Sequence, residues 1–206
     1  MFLIPFIRLS VGTTSPANAA KTLYNYAIAL LDEVMKKNNA FVEQEDGERF
    51  TSIYSKTFLQ SAKSIYTAKR HANTLAEALP ILKNKVNISD LITITGIKIF
   101  YPKLYELIKT NGGVLAGPIP HATYDQCKQE LQALRINLEA AIKGYDDESN
   151  NGNFIRGMLA LLFPRLNVIY RDIQQTDEDY LPCVEKGRIC SAEHFDLYFS
   201  IQYITL

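Results

Sequence analysis

Asn87-Ile88-Ser89-Asp90-Leu91-Ile92-Thr93-Ile94-Thr95-Gly96-Ile97-Lys98-Ile99-Phe100 can be read two ways, and the choice sets the fold class. From Leu91 onward the run alternates and is rich in β-branched residues, which is the pattern of a strand. Against that, Asn87 with Asp90 three residues later has the form of a capping box that opens a helix. Ile88, Leu91, Ile92, Thr95 and Ile99 then share one helical face. On pattern alone the two readings are even.

The residues just after the run favour corners between helices. Phe100-Tyr101-Pro102-Lys103-Leu104-Tyr105 has the same shape as Leu162-Phe163-Pro164-Arg165-Leu166. In each, an apolar run closes on an aromatic, a proline comes next, then a base and a leucine. Proline suits the first turn of a new helix and cannot continue an old one. Each segment therefore reads as helix, sharp corner, helix, with Phe100, Pro102, Phe163, Pro164 and Arg165 as the corner residues.

Further helices surround these corners. Ser15-Pro16 marks a helix start, with Leu23, Ala27, Leu30, Leu31 and Val34 on one face and Lys36 and Lys37 at the end that favours cations. Residues 38–48 read as a loop, 48–62 as a second helix, and 67–79 as a third that Pro80 ends or bends. A short helix begins at Pro102 and stops at Asn111-Gly112-Gly113, and residues 112–121 read as a loop. The clearest periodicity covers 123–143, through Cys127, Leu131, Leu134, Leu138 and Ala141. Polar loops at 146–153 and 176–187 flank a buried helix at 154–163. Ser191-Ala192-Glu193-His194 opens a last short helix carrying Phe195, Tyr198 and Phe199.

The predicted fold is mainly α, a helical bundle with Pro-cornered helices. One short strand at Phe2 to Leu9 is allowed for. The chain divides into three regions: 1–14, 15–110 and 111–206.

Composition narrows the function classes. The chain has 206 residues, 47% hydrophobic and 21% charged, with formal net charge +0. That balance gives no support to a nucleic-acid surface or a polybasic membrane patch. No apolar span is long enough for a transmembrane segment. Cys127, Cys183 and Cys190 are odd in number and widely spaced, which argues against a disulfide framework and for a reducing compartment. Cys183 and Cys190 flank a polar loop. No histidine and cysteine grouping supports a metal site.

Four stretches resemble the region that comes after the ATPase core in KAP-type P-loop NTPases. Ala68-Lys69-Arg70-His71-Ala72-Asn73-Thr74-Leu75 is similar to the family's "V-K-R-x-x-N-x-L" helix. Val86 to Leu91, leading to Phe100 through Ile108, resembles "V-N-x-x-D-L" joined to "x-F-x-P-x-L-Y-x-x-I". Leu161 to Leu166 resembles "L-F-P-R-L", and Arg188 to Phe199 resembles "R-I-x-S-P-E-H-F-x-x-Y-F". Order and spacing agree as well. The resemblance implies that Leu91 to Phe100 is helix, and that Phe2 to Leu9 corresponds to the last strand of the core.

The departures bear on activity. A phosphate-binding loop needs Gly-x-x-x-x-Gly-Lys-Ser/Thr. Here Gly112 and Gly117 have the glycine spacing, but Pro118-Ile119 come next. No apolar strand ends in paired acids for magnesium. Where the family carries an early lid arginine, this chain has Tyr66.

The resemblance implies a non-catalytic lid and regulatory portion that acts with an ATPase core supplied outside this chain, either excised or from a truncated frame. ATP and Mg belong to an intact family member, and no cofactor is expected here. Arg70 and Lys69 are the candidate nucleotide-sensing bases. Arg188, Ser191, His194, Phe195, Tyr198 and Phe199 are expected to dock the C-terminal segment, with Arg165 and Arg188 pairing to Glu193 or Asp196. The family acts at the cytoplasmic face of membranes, and some members resist phage. Cytoplasmic localisation, a protein partner and peripheral membrane association are the matching expectations. The alternative is a free-standing helical interaction module linked to defence or toxin loci. An acid–base couple at Glu193-His194 is a third reading, set against a simple helix cap by Ser191.

Overall fold

Helices account for nearly all regular structure in this computed structural model, which describes residues 16–44, 46–47, 51, 64–119, 121–145, 151–171 and 177–200. The expected strand at 2–9 and, apart from residue 51, the expected helix at 48–62 lie outside those residues. The fold is mainly α.

Helix α1 (Pro16–Lys37) opens with proline at its first position and buries Ala27, Leu30 and Leu31 against α2 (Ile65–Leu82). Two exposed pairs, Lys36–Asp32 and Lys37–Glu33, each at 2.6 Å, reinforce its last turns. Asn39 ends it in the left-handed region at φ 49. The Asn39 amide bonds the Lys36 carbonyl (3.2 Å) and the Ala40 amide the Met35 carbonyl (3.0 Å), which together make a Schellman motif.

Helix α2 starts at Ser64, whose hydroxyl accepts from the Thr67 amide at 3.3 Å. It runs past Pro80 to Leu82, so of the two readings, end or bend, the proline does not end it. Proline removes one amide, the partner of the carbonyl four residues back, and an exposed site this close to the helix end tolerates that loss. The helix closes with the Lys83 amide on the Leu79 carbonyl at 3.0 Å.

The ambiguous run is helix α3 (Ile88–Phe100), and residues 88 to 97 are all buried. Apolar character on every side marks a central helix. The threonines that mimic a strand's polar face bond inside the helix. Thr93 donates to the Ser89 carbonyl (2.8 Å) and Thr95 to that of Leu91 (2.9 Å).

Both corners share a backbone form. Tyr101 (φ −134, ψ 58) precedes α4 (Pro102–Thr110). Phe163 (φ −125, ψ 88) precedes a 3-10 turn, Pro164–Leu166. Tyr101 is thus the counterpart of Phe163, and both are buried. Phe100 is only half-buried and meets the His71 ring edge-on at 5.8 Å.

Short helix α5 (Gly112–Leu115) and a 3-10 turn (His121–Thr123) fill the expected 112–121 loop. Helix α6 (Tyr124–Lys143) buries Leu131, Leu134, Leu138, Ala141 and Ile142. Helix α7 (Asn151–Leu162) begins three residues before the expected start at 154. After α8 (Asn167–Tyr170) comes α9 (Asp177–Glu185), in place of the expected loop. Its far end is anchored by a disulfide from Cys183 to Cys190. Both cysteines are buried, so the reading of these two as loop-flanking thiols outside any disulfide is corrected. Helix α10 (Ala192–Phe195) and the turn Asp196–Phe199 close the described chain. No helix among the described residues is long and apolar enough to cross a membrane.

Candidate functional site

The C-terminal segment meets the start of α3 in a buried polar junction. The Gly187 carbonyl accepts from the Asn87 amide (2.9 Å) and from the Tyr198 hydroxyl (2.8 Å). Gly187 adopts φ 58, a left-handed conformation that costs glycine little. The Tyr198 hydroxyl also accepts from the Asn87 amide at 3.1 Å. Asp90 is 0% exposed, and its carboxylate accepts the Ile189 amide at 3.0 Å. Arg188 stands 3.7 Å from the same oxygen and donates to the Leu161 carbonyl at 2.9 Å.

Arg165 holds the second corner. Its guanidinium donates to the carbonyls of Gly113 (3.0 Å), Val114 (2.9 Å) and Pro118. Burial holds its pKa below the ordinary arginine value. A Cβ at Gly117, which has φ 103, would come within 3.1 Å of this guanidinium. The Gly117 amide in turn donates to the Cys190 carbonyl at 2.9 Å. Neither arginine takes the expected partner. Arg165 meets backbone carbonyls, and Arg188 meets Asp90 and a carbonyl, in place of Glu193 or Asp196. A rigid fork of several donors suits converging carbonyls.

Aromatic rings seal the junction. Phe163 and Phe195 lie 6.4 Å apart between centroids, Phe195 and Phe199 4.9 Å, and Tyr105 and Phe199 5.5 Å. Gly112 sits directly against Phe195, leaving no room for a Cβ. Burial, with Glu106 adding to it, pushes the Tyr105 hydroxyl up to about 12.

Ser191, Glu193 and His194 form a hydrogen-bonded group. The Ser191 hydroxyl lies 2.8 Å from His194 Nδ1 and 2.9 Å from Glu193 Oε2, and it accepts the His194 amide at 3.3 Å. Tyr180 donates to Glu193 at 3.0 Å and accepts the Ala192 amide at 3.0 Å. A backbone hydrogen bond and the Ser191 and Tyr180 hydroxyls hold the Glu193 carboxyl below its usual range. A nucleophile relay needs an exposed serine, with the acid on the far side of the histidine. Here the serine is 0% exposed and itself contacts the acid. The arrangement is a helix cap.

Arg70 is exposed on α2 and Lys69 is half-buried. Arg70 and Lys109 help lower the Lys98 pKa, after burial as the main cause. That places Arg70 toward the C-terminal end of α3, away from the junction. Next to Arg70 in sequence but on the inner face of α2, His71 is 1% exposed, with Nε2 3.0 Å from the Ile92 carbonyl and 3.2 Å from Thr95 Oγ1. Burial lowers its pKa to about 4. Tyr66 is 73% exposed.

Sequence reasoning does not find Asn87, Asp90, Gly117, Tyr180 and Gly187 as junction residues. The first two carry a local signal as a helix cap, which hides their long-range bonds. The spacing of Cys183 and Cys190 is a usable signal for the bridge. Among the described residues, no group of three His, Cys, Asp or Glu side chains could hold a metal ion. No protein-family model matches the chain, and neither a curated protein nor a solved structure matches it.

Proposed function

We propose that this chain is the non-catalytic helical lid and regulatory portion of a KAP-like P-loop NTPase, with the ATPase core as its protein partner. The reading rests on the sequence resemblance together with one geometric observation. Three of the four resembling stretches converge on a single junction: Asn87 and Asp90 from one, Leu161 and Phe163 from another, Arg188 to Phe199 from the third. Residues that recur as a set in sequence here act as a set in space. Many of the polar contacts at that junction run from side chains to backbone carbonyls and amides, which suits a rigid cover. The fourth stretch, on α2, packs through His71 on α3 and leaves Arg70 exposed toward solvent, available to a docked core.

In this reading the lid closes over nucleotide held by the core and passes that state onward. An equilibrium titration with a fluorescent ATP analogue and magnesium tests it. No saturable binding below the millimolar range is expected, because the phosphate cradle and magnesium ligands are missing from the sequence. Micromolar binding would overturn the reading.

A further inference from the structure

Helix α9 depends on one covalent tie. It is 9 residues long and carries Pro182 inside it. Isolated helices shorter than about 12–15 residues are marginal in water, and an internal proline removes a further backbone bond. Packing does little to compensate. Of the α9 side chains from Tyr180 to Glu185, Cys183 alone is buried, while Tyr180 and Val184 are half-buried and Leu181 is 57% exposed. Cys183 is also the residue bridged to Cys190. Tyr180 adds its two hydrogen bonds, to Glu193 and from the Ala192 amide, at exposed positions where water competes.

The other end of the bridge is seated independently. Cys190 belongs to a loop whose backbone is bonded into the junction. The Gly187 carbonyl accepts from Asn87 and Tyr198, the Ile189 amide reaches Asp90, and the Cys190 carbonyl accepts from the Gly117 amide. None of these bonds passes through α9. The bridge therefore ties a weakly seated element to a firmly seated one, and local opening takes the weaker element first.

We propose that Cys183 and Cys190 form a reversible thiol–disulfide switch. Its oxidised state holds α9 against the junction, and its reduced state releases α9 while the junction stays closed. The reductant is a dithiol. One of its thiolates attacks a chain sulfur, the Cys183–Cys190 bond breaks, and the departing thiolate takes a proton. The second thiolate of the reductant then displaces the other chain sulfur, which is protonated in turn. Two electrons and two protons pass to the chain, and the reductant closes its own disulfide. Both chain sulfurs are buried, so attack follows an opening of α9. With a sequence separation of 7, the two thiols stay close in the released state, and an oxidant re-forms the bridge within one molecule. The switch is independent of the lid reading.

The test is amide NMR on the full wild-type chain without denaturant, first oxidised, then in dithiothreitol, then after exchange into oxidised glutathione. Mass spectrometry after alkylation reports the thiol count at each stage. Dithiothreitol should free both thiols. The Tyr180, Leu181 and Val184 amides should then move to random-coil positions and exchange about tenfold faster or more. The Ile189 amide should keep its dispersed position, and reoxidation should restore the first spectrum. Three outcomes overturn the proposal: a bridge that resists dithiothreitol, α9 amides unmoved in a chain shown to be reduced, or an Ile189 amide that becomes random coil together with α9.

Discussion

The Asp90 carboxylate accepts the Ile189 amide at 3.0 Å across a sequence separation of 99 residues. Asp90 belongs to the first turn of the central helix, and Ile189 to the loop closed by the Cys183–Cys190 bridge. This bond is among those that join the middle of the chain to its C-terminal segment, and both partners are buried. Asp90→Ala leaves the Ile189 amide unmet and Arg188 without its acid. The expected loss is about 3 kcal/mol, read as a lower urea midpoint with an unchanged slope.

His71 gives a pH signature. Its folded pKa of about 4 lies below the ordinary histidine value of 6.5. Protonation therefore favours the unfolded chain, so the stabilisation is whole above pH 6.5, erodes as pH falls, and levels off below pH 4. The total is about 3 kcal/mol. His71→Gln should flatten the loss between those limits when denaturation midpoints are compared at several pH values. An equal slope in wild type and variant would exclude His71 as the source.

Phe163 and Phe195 are 0% and 4% exposed and share a ring contact. Alanine at either should cost on the order of 3–5 kcal/mol. Because the two rings touch, the double variant should lose less than the sum of the single losses. A thermal-melt double-mutant cycle reads the coupling, and strict additivity would show that the rings do not seal one junction.

The Cys183–Cys190 bridge spans a sequence separation of 7. Closing so short a loop in the unfolded chain is worth about 2 kcal/mol in the chain-entropy view. Cys190→Ser should lower stability by about that amount. Mass spectrometry of the non-reduced chain should show Cys127 as the single alkylatable thiol. Three alkylated thiols without denaturation would remove the bridge from the account.

Legibility in the sequence tracks range. Local signals read well: Asn87 as a cap, proline at the start of α1 and α4, the periodicity of α6. Local signals that tertiary structure overrides read badly. Pro80 carries a helix-stop signal, yet it is exposed and its one lost amide lies near the helix end. Asp177 to Glu185 looks like a polar loop, yet Tyr180 and Cys183 tie that helix to the residues around Ser191. Thr93 and Thr95 suggest a strand until their hydroxyls are seen to bond back within the helix. The junction is legible as a set of residues but not as a set of bonds. Arginine partners cannot be read from sequence when they are backbone carbonyls, as at Gly113, Val114 and Pro118. Acids such as Glu193 are the nearer guess and the wrong one.

The most direct test of the lid assignment is ATP turnover by the purified chain with magnesium. The account predicts phosphate release no faster than in buffer, at any ATP concentration. Saturable release that co-purifies with the folded chain through successive columns would contradict it.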